Sequence, residues 1–593
     1  MQQYSAPLRD MSFVFHELLE VESEYRQLQP QADRSRELID SVLEAGARFA
    51  EDVVSPLQRI GDEHGCRLEA GRVTTPPGFK RAYQLFCEAG WPGAAADPHH
   101  GGQGLPDALG YALEEMLNSA NLAWAMYVTL TRGAYGALRE SATALREVCL
   151  PKLVSGRWTG TMCLTEPQAG SDLGLVKTEA VPDGAGAYRL TGTKIFVSAG
   201  EHDLSENILH LVLARLPDAP AGSKGISLFL VPKLLPDAAG RAHDNNRIEC
   251  LGIERKLGIH GNATCVIQLD GATGFLVGEP HRGLPAMFVM MNAARLGVGI
   301  QGLGLMQVAY QHARDYAKGR LQSRSLSGAK APDQPADPIV VHADVRRMLL
   351  TQKAYIEGGR ALAYWLALML DRSKAHPDPG LRRDSNDLVS LFTPVVKAFL
   401  TDNAVLCTNL ALQVCGGHGY IRDTGLEQFV RDARITTIYE GTNTIQALDL
   451  LGRKVLFDGG AKLRKFGDLV RTFVELAQGT AGMRQFTAPL VQLAGRLERL
   501  TLELGARALS NRDELGAAAT DYLRILGHFA CAYFWARMAH IALPRAAAGE
   551  AFYASKLATA RFYFARLLPE VEASFQTASS GASTLFELDA EAF

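Results

Sequence analysis

The chain has 593 residues, of which 47% are hydrophobic and 21% are charged, values typical of a soluble globular enzyme. This length exceeds what one core organises, so two to four structural units are expected. The net charge of −3 at pH 7 provides no overall attraction to nucleic acid or to an anionic membrane surface. Nine scattered cysteines, without a Cys-x-x-Cys pair or a His/Cys cluster at ligand spacing, predict reduced thiols and no metal site.

The chain shows no targeting or membrane-spanning pattern. Met1 to Glu17 lacks a basic region followed by an apolar one, so no signal peptide is predicted. The most apolar late stretch, Ile525 to Ala536, contains His528 and is too short to span a bilayer. We therefore expect a cytoplasmic protein without a membrane span.

The first part of the chain is predicted to be helical. From about Asp33 to Arg157, apolar residues recur at steps of three and four, as in Leu38 and Val42. The Gly-dense segment from Pro98 to Pro106 must be a loop within this region. The pattern predicts an N-terminal helical domain over residues 1–158.

A β-rich region follows and predicts a middle domain over residues 159–280. The run from Tyr188 to Val197 alternates around a Thr-Gly turn. Three further runs bounded by Gly, Pro or Asp also favour strands: Ile208 to Leu213, Ile226 to Val231, and Cys265 to Leu269. The interval is short for a parallel sheet with crossover helices, so an antiparallel barrel or sandwich is predicted.

Helical periodicity returns near Pro285 and continues to about Phe457. It predicts a helical bundle over residues 281–457. The segment from Ser323 to Pro338 is rich in Ser, Gly, Pro and Asp and should form a loop inside the bundle. The expected fold class is therefore mainly α with a central β barrel.

A further helical domain is predicted over residues 458–593, the C-terminal extension. Five leucines there follow a 3-4-3-4 spacing: Leu490, Leu493, Leu497, Leu500 and Leu504. Two heptads are too few for a coiled coil, so the leucines indicate a packed helix. The residues from Thr577 onward should form an irregular tail.

Cys163-Leu-Thr-Glu-Pro-Gln-Ala-Gly-Ser-Asp172 is the first segment with chemical potential. It combines the hydroxyls of Thr165 and Ser171 with a Pro-fixed turn and a Gly that allows close backbone approach. Such a loop suits a phosphate or the edge of a flavin. By its residues alone it is equally compatible with an ordinary Gly-containing turn.

A second group of motifs comprises Val414-Cys-Gly-Gly-His-Gly-Tyr420, Arg431-Asp-Ala-Arg434 and Ile438-Tyr-Glu-Gly-Thr-Asn-Thr-Ile-Gln446. Thr442 can N-cap a helix that begins near Asn443, which leaves Glu440 on the irregular segment before it. A carboxylate beside a Gly at a helix entrance can project into a cleft. A surface or capping role for Glu440 is the alternative.

These motifs, in this order and at these separations, resemble the acyl-CoA dehydrogenases over roughly residues 35–455. Tyr4 to Phe13 and the C-terminal extension resemble the family's long subgroup, which is labelled 3-methylmercaptopropionyl-CoA dehydrogenase-like. The resemblance implies an N-terminal helical domain, a middle β barrel, a C-terminal four-helix bundle and an additional helical domain. It also implies FAD as a non-covalently bound cofactor.

The resemblance assigns roles residue by residue. It implies FAD contacts for Thr165, Ser171, Phe196, Ser198, Arg320, Gly416, Gly417, Thr442, Asn443 and Thr444. It implies acyl-CoA contacts for Ser171, Asn292, Arg295 and Gly441. Phe196 stands where the family usually has Trp, and Asn292 replaces the usual Asp. Ser323 and Arg324 replace the aromatic residue and the Gly that usually follow Arg320.

The resemblance also implies the reaction. Glu440 matches the catalytic base that removes the α proton of an acyl-CoA thioester, while the β hydride passes to flavin N5. The thioester carbonyl would accept hydrogen bonds from the backbone N–H of Glu440 and from a ribityl hydroxyl. Arg295 would help to orient Glu440. One branch of the family carries its base near the position of Ala294, which cannot serve, and the expected product is a trans-2-enoyl-CoA.

Electron-transfer flavoprotein is the expected electron acceptor, as in fatty acid β-oxidation. A homo-oligomer is expected, with a dimer favoured and the C-terminal extension packed on the core. An acyl-CoA oxidase is one alternative. A non-catalytic, DNA-associated flavoprotein of the same superfamily is another, although residues 456–593 interleave Arg with Asp and Glu without a cationic run.

Overall fold

The computed structural model describes residues 4–28 and 33–593 and divides into two compact units. The helical unit comprises Met1–Ala47 and Val298–Phe593, and the β unit comprises Arg48–Gly297. The domain boundaries expected near residues 158, 280 and 457 stay a prediction.

The α-helices supply most of the regular structure. In chain order, those of the described residues are α1 Leu8–Ser12, α2 Val21–Leu28, α3 Arg36–Phe49, α4 Gln58–His64, α5 Phe79–Glu88, α6 Asp107–Arg139, α7 Arg146–Val154, α8 Gly283–Gly319, α9 Ala343–Ala375, α10 Pro379–Cys415, α11 Gly417–Tyr420, α12 Leu426–Thr436, α13 Asn443–Leu448, α14 Ala461–Leu476, α15 Arg484–Ser510, α16 Asp513–Ala547, α17 Ala551–Phe562 and α18 Val571–Ser579. The two boundaries between the units fall within α3 and within α8.

The strands all lie in the β unit. They are β1 Arg67–Glu69, β2 Arg72–Thr74, β3 Trp158–Cys163, β4 Glu179–Pro182, β5 Ala187–Ser198, β6 Asn207–Arg215, β7 Ile226–Pro232, β8 Leu234–Pro236, β9 Ala242–Asn245, β10 Ile248–Ile253 and β11 Thr264–Val277. The four predicted runs therefore form β5, β6, β7 and β11. The short hairpin β1–β2 interrupts the region for which only helices were predicted.

Seven strands form a central sheet in the order β10-β11-β5-β4-β6-β3, with β7 paired to both β11 and β6. The pairings β11–β5, β5–β4, β4–β6, β6–β7 and β7–β11 return to the starting strand. The expectation of purely antiparallel pairing is wrong, because β3 and β6 run parallel from Trp158 opposite Asn207 to Cys163 opposite Val212. The chain between β3 and β6 carries β4 and β5, so it is long enough to let β6 run in the same direction beside β3.

The expected Thr-Gly turn near Gly192 is also wrong, since β5 continues through it without a break. A Cβ atom on Gly192 would lie 2.4 Å from Thr178 Oγ1 and 2.9 Å from its Cα. Glycine is therefore needed at this position for close packing within the β unit.

In the helical unit, α9 and α10 pack along each other, and α10 also contacts α12 and α13. Helix α16 of the C-terminal extension packs against α9, α10 and α13. The five leucines of the 3-4-3-4 pattern lie buried along α15, which confirms the packed helix. Residues 323–338 form a loop, as predicted, and the Asp337 carboxylate accepts the backbone N–H of Ser325, Lys330 and Ala331.

The irregular tail begins at Ser580 instead of Thr577, because α18 continues to Ser579. The Arg507 guanidinium donates to the Ser579 carbonyl oxygen at 2.8 Å and stabilises this last turn.

Helices α8 and α10 are long and apolar enough to cross a membrane by length and composition alone. Their most apolar windows are 50% and 78% buried in the protein, and core helices of globular proteins meet the same criteria. Within residues 4–28 and 33–593, no group of three or more His, Cys, Asp or Glu side chains could hold a metal ion.

Candidate active site

The loop after β3, which carries the first motif, is a tight hairpin. Glu166 and Ala169 exchange both backbone hydrogen bonds at 3.0 Å. The Asp172 carboxylate accepts the backbone N–H of Gly174 at 2.8 Å and closes the following turn. These contacts hold Thr165, which is half-buried, and Ser171, which is exposed, at the two ends of the hairpin.

A buried ion pair supports this hairpin. Lys194 Nζ on β5 lies 2.8 Å from Glu166 Oε1, and both side chains are almost fully buried. The same carboxylate accepts the backbone N–H of Lys177 at 2.7 Å and of Thr178 at 3.0 Å. Burial opposes ionisation, but the charge of Lys194 and these donors lower the pKa of Glu166 to about 2.

This ion pair was not predicted from the sequence. Lys194 lies on the same face of the strand as Gly192 and the buried Leu190. A lysine among the residues of the buried face was the signal available in the sequence. Its partner could not be read from the pattern.

Phe196 is held in an unusual conformation next to the hairpin. The Ile195 N–H donates to the Thr165 carbonyl oxygen at 2.9 Å and joins β5 to the loop. Phe196 has a φ of 55°, which is strained for a bulky side chain, and its ring is 59% exposed. Ser198 follows at the end of β5 and is half-buried. An exposed aromatic ring on the strand that joins this hydroxyl-bearing loop suits contact with the flat ring system of a flavin.

The start of α8 carries two of the expected acyl-CoA contacts. Arg295 is buried and Asn292 is exposed, and Arg295 Nη1 donates to Asn292 Oδ1 at 3.4 Å. The Arg295 guanidinium also lies 5.7 Å from the ring of Phe288. Asn292 can therefore still accept a hydrogen bond from the arginine, without the negative charge of the usual Asp.

In the helical unit, Glu440 lies on a left-handed turn. Glu440 has a φ of 57° and Gly441 a φ of 84°. The Thr442 hydroxyl accepts the backbone N–H of Ile445 at 3.3 Å, which confirms Thr442 as the N-cap of α13. A left-handed non-Gly residue costs free energy and persists only where its surroundings hold it, so the conformation of Glu440 points to function.

Lys397, a fully buried residue of α10, holds this turn. Its Nζ donates to the Gly441 carbonyl oxygen at 2.9 Å and to Asn443 Oδ1 at 2.7 Å. Gln446 Nε2 donates to the Glu440 carbonyl oxygen at 3.1 Å. Gly441 has a φ of 84°, and a Cβ atom there would also lie 2.6 Å from the same nitrogen, so glycine is favoured at this position.

Asn443 connects the turn to α10. Its Nδ2 donates to Thr401 Oγ1 at 2.9 Å and to Asp402 Oδ1 at 2.6 Å. Lys397 was not predicted from the sequence, although it is the one cation in the apolar run from Phe392 to Leu400. Such a lysine in a helix core is uncommon unless it is paired.

The residue before Glu440 is a tyrosine with a strongly shifted pKa. Burial, and then the negative charge of Glu440, raise the pKa of Tyr439 well above its ordinary value. Tyr439 therefore stays neutral, and its hydroxyl donates to Gln301 Oε1. Glu440 itself is half-buried, so the turn presents its carboxylate without enclosing it.

The remaining FAD candidates lie on the surface of the helical unit. Gly416 ends α10 with a φ of 57°, and Gly417 begins α11. No described atom lies within 4 Å of a Cβ atom placed on either residue, so another molecule can approach this backbone closely. The side chains of Arg320 and Thr444 are exposed as well. Contact of Arg320 with FAD stays a prediction.

Three family profiles match successive parts of the chain. They are "Acyl-CoA dehydrogenase, middle domain" over residues 161–272, "Acyl-CoA dehydrogenase, C-terminal domain" over residues 281–456, and "Acetyl-CoA dehydrogenase C-terminal like" over residues 466–589. The profiles therefore account for the predicted motifs and for most of the C-terminal extension.

A curated relative, 3-methylmercaptopropionyl-CoA dehydrogenase from Ruegeria pomeroyi, is 43% identical over 96% of this chain and 97% of its own length. The fold is shared with ACDH-11 from Caenorhabditis elegans in complex with C11-CoA, at a TM-score of 0.77, 21% identity and coverage of 100% and 97% of the two chains. It is also shared with a Bacillus anthracis acyl-CoA dehydrogenase complexed with FAD, at a TM-score of 0.73, 18% identity and coverage of 93% and 89%. The chain thus belongs to the acyl-CoA dehydrogenase family, the enzymes that use FAD to dehydrogenate acyl-CoA thioesters.

Proposed function

We propose that Glu440 is the general base of this acyl-CoA dehydrogenase. The observation that carries the proposal is the left-handed turn of Glu440 and Gly441, which Lys397 and Gln446 hold from both sides. This arrangement costs free energy and presents a carboxylate beside a glycine. Among the motif residues, Glu440 is the carboxylate that the resemblance aligns with the base.

The chemistry asked of Glu440 is removal of a weakly acidic α proton. Its carboxylate would accept this proton, and its backbone N–H would donate to the thioester carbonyl as negative charge develops there. Lys397 and Gln446 fix the carbonyl groups of Gly441 and Glu440, so the two peptide planes that follow Glu440 are already oriented and hold this residue in place. FAD, when bound, supplies the acceptor for the β hydride.

We propose that Thr165, Phe196 and Ser198 of the β unit hold the flavin, with Ser171 contributing to both FAD and acyl-CoA. In the helical unit, Gly416, Gly417 and Thr442 to Thr444 would contact FAD, and Gly441 would contact the substrate. Support comes from the exposed, strained Phe196 and from the open backbone at Gly416 and Gly417. The roles of Asn292, Arg295 and Arg320 rest on the resemblance and on their positions in the two units.

Glu440→Gln tests the base directly. The amide is nearly isosteric, so the fold and FAD content should persist, while turnover should fall by about 10²- to 10⁴-fold. Glu427→Gln is a matched control, because Glu427 lies on the preceding helix α12 and pairs with Arg431. The control should retain turnover within about twofold, because the Glu427 carboxylate bonds to Arg431 on its own helix and its amide replacement can still accept from that guanidinium. If Glu440→Gln also retains wild-type turnover, the base lies elsewhere.

We propose electron-transfer flavoprotein as the physiological electron acceptor, in a step of the β-oxidation type. Reduced enzyme should then be reoxidised faster by electron-transfer flavoprotein than by oxygen, because a closed pocket with bound product excludes oxygen. Stoichiometric hydrogen peroxide in steady state would instead indicate an oxidase. A panel of straight-chain acyl-CoAs, together with 3-methylmercaptopropionyl-CoA, would define the acyl group.

We also propose a cytoplasmic homodimer in which the C-terminal extension supports the assembly. The nine cysteines are free thiols, as a reducing compartment would require. The cycle of strand pairings supports a β barrel, and the packing of α9, α10 and α12 supports a four-helix bundle. Light scattering during size-exclusion chromatography would test the dimer, and a crystal structure would test the barrel.

A further inference from the structure

Helix α10 contacts the catalytic turn and the C-terminal extension through adjacent residues. Lys397, Thr401 and Asp402 contact the turn through Gly441 and Asn443, as described above. Phe399 and Asn403, which alternate with them along the helix, contact α16. A movement of α16 therefore displaces the same helical turn that holds Glu440.

The contact between α16 and α10 is close and specific. A Cβ atom on Gly527 would lie 2.3 Å from Phe399 Cδ2, so the two helices approach each other at this glycine. The next residue, His528, meets the Phe399 ring edge-on at 5.2 Å. Interiors this tightly packed transmit displacements, because neighbouring side chains have no free volume in which to adjust.

Arg524, one helical turn before His528, adds a polar connection. Its Nη1 donates to Asn403 Oδ1 at 3.3 Å, and its Nη2 lies 2.8 Å from Glu570 Oε2. Its charge also acts on Asp402, the carboxylate that accepts a hydrogen bond from Asn443. Helix α13, which begins at Asn443, packs on α16 as well.

We propose that the C-terminal extension positions the catalytic turn, with Arg524 and Gly527 on α16 as positioning residues that act through α10 and Asn443. The inference rests on the proposed role of Glu440. The extension is needed because the left-handed Glu440 conformation is held by α10, and α10 is in turn held by α16. Without this support the turn relaxes and the carboxylate moves away from its reactive position.

The test measures proton removal separately from electron transfer. An acyl-CoA analogue with sulphur in place of the β carbon has an acidic α C–H and no β hydride to lose. Exchange of its α protons for solvent deuterium on the holoenzyme, followed by NMR, therefore reports on the base alone. Wild-type enzyme should exchange these protons, and Glu440→Gln should not. If both enzymes exchange them at similar rates, the role of Glu440 is contradicted and not that of the extension.

Arg524→Gln should slow the exchange by about tenfold, with the dissociation constant of the analogue within about twofold of wild type, because misplacement affects reaction more than binding. Arg524→Lys should recover part of the rate. Arg545→Gln is the matched control on the same helix, since Arg545 contacts Glu17 and not α10. The control should exchange at a rate within about twofold of wild type.

If the Arg524→Gln variant is folded, contains FAD and exchanges the α protons at the wild-type rate, the proposal is overturned. If that variant does not fold, Gly527→Ala decides, because its added methyl group pushes on Phe399 and should also slow exchange. Equal losses in Arg524→Gln and Arg545→Gln would likewise refute it, since they would reflect general destabilisation.

Discussion

Replacing Lys397 with methionine should destabilise the helical unit and disorder the catalytic turn. Methionine fills a similar volume, so no large cavity is expected. The substitution removes the donor to the Gly441 carbonyl oxygen and to Asn443 Oδ1, in a place where the lysine is fully buried. An acceptor that loses its partner in such surroundings costs about 1–3 kcal/mol. The Gly441 carbonyl oxygen incurs this cost, whereas Asn443 Oδ1 still accepts the Thr401 hydroxyl at 3.3 Å.

The loss should appear in stability and in catalysis together. We expect a melting temperature several degrees below that of wild type in differential scanning calorimetry. We also expect kcat to fall by about 10²-fold, because displacement of a base by about 1 Å has effects of this size.

Lys465→Met is the matched control for this experiment. Lys465 also contacts two carboxylates, Asp384 at 2.7 Å and Asp387 at 2.5 Å, but at the surface of the protein. Exposed pairs contribute about 0–1 kcal/mol, so this variant should melt and turn over much like wild type. A Lys397→Met enzyme with wild-type kcat would refute the reasoning that Lys397 holds the turn.

Three further predictions concern the β unit and the C-terminal extension. The pKa of Glu166 is about 2 in the folded protein against an ordinary value of 4.5, so the stability it contributes is present above pH 4.5 and is lost as the pH falls toward 2. Flavin fluorescence should show FAD release over this interval, and an unchanged acid profile in Glu166→Gln would contradict the assignment. Phe196→Ala should weaken FAD binding by about 0.5–1.5 kcal/mol in titrations of apoenzyme, whereas Phe196→Trp should retain it. Equal affinities for all three proteins would exclude ring contact. Truncation after Phe457 should expose the apolar faces of α9, α10 and α13 to solvent and yield aggregated or flavin-poor protein. A monodisperse, fully active truncated enzyme would contradict this prediction.

The sequence by itself determined the features that depend on neighbouring residues. The N-cap at Thr442 follows from a hydroxyl three residues before the N–H that it accepts. The leucine stripe of α15 follows from helical periodicity, and four strands follow from alternation and their Gly, Pro or Asp boundaries. The motifs also indicated the family, because they specify residue types at short spacing.

The tertiary structure decided which distant residues meet. Lys397 contacts Gly441 across 44 residues of sequence, Glu166 contacts Lys194 across 28, and Arg524 contacts Asn403 across 121. The parallel pairing of β3 with β6 depends in the same way on the path of the chain between them. Periodicity reports which face of an element is buried, but not which element covers it. The buried lysines could therefore be seen in the sequence, whereas their partners followed only from the fold.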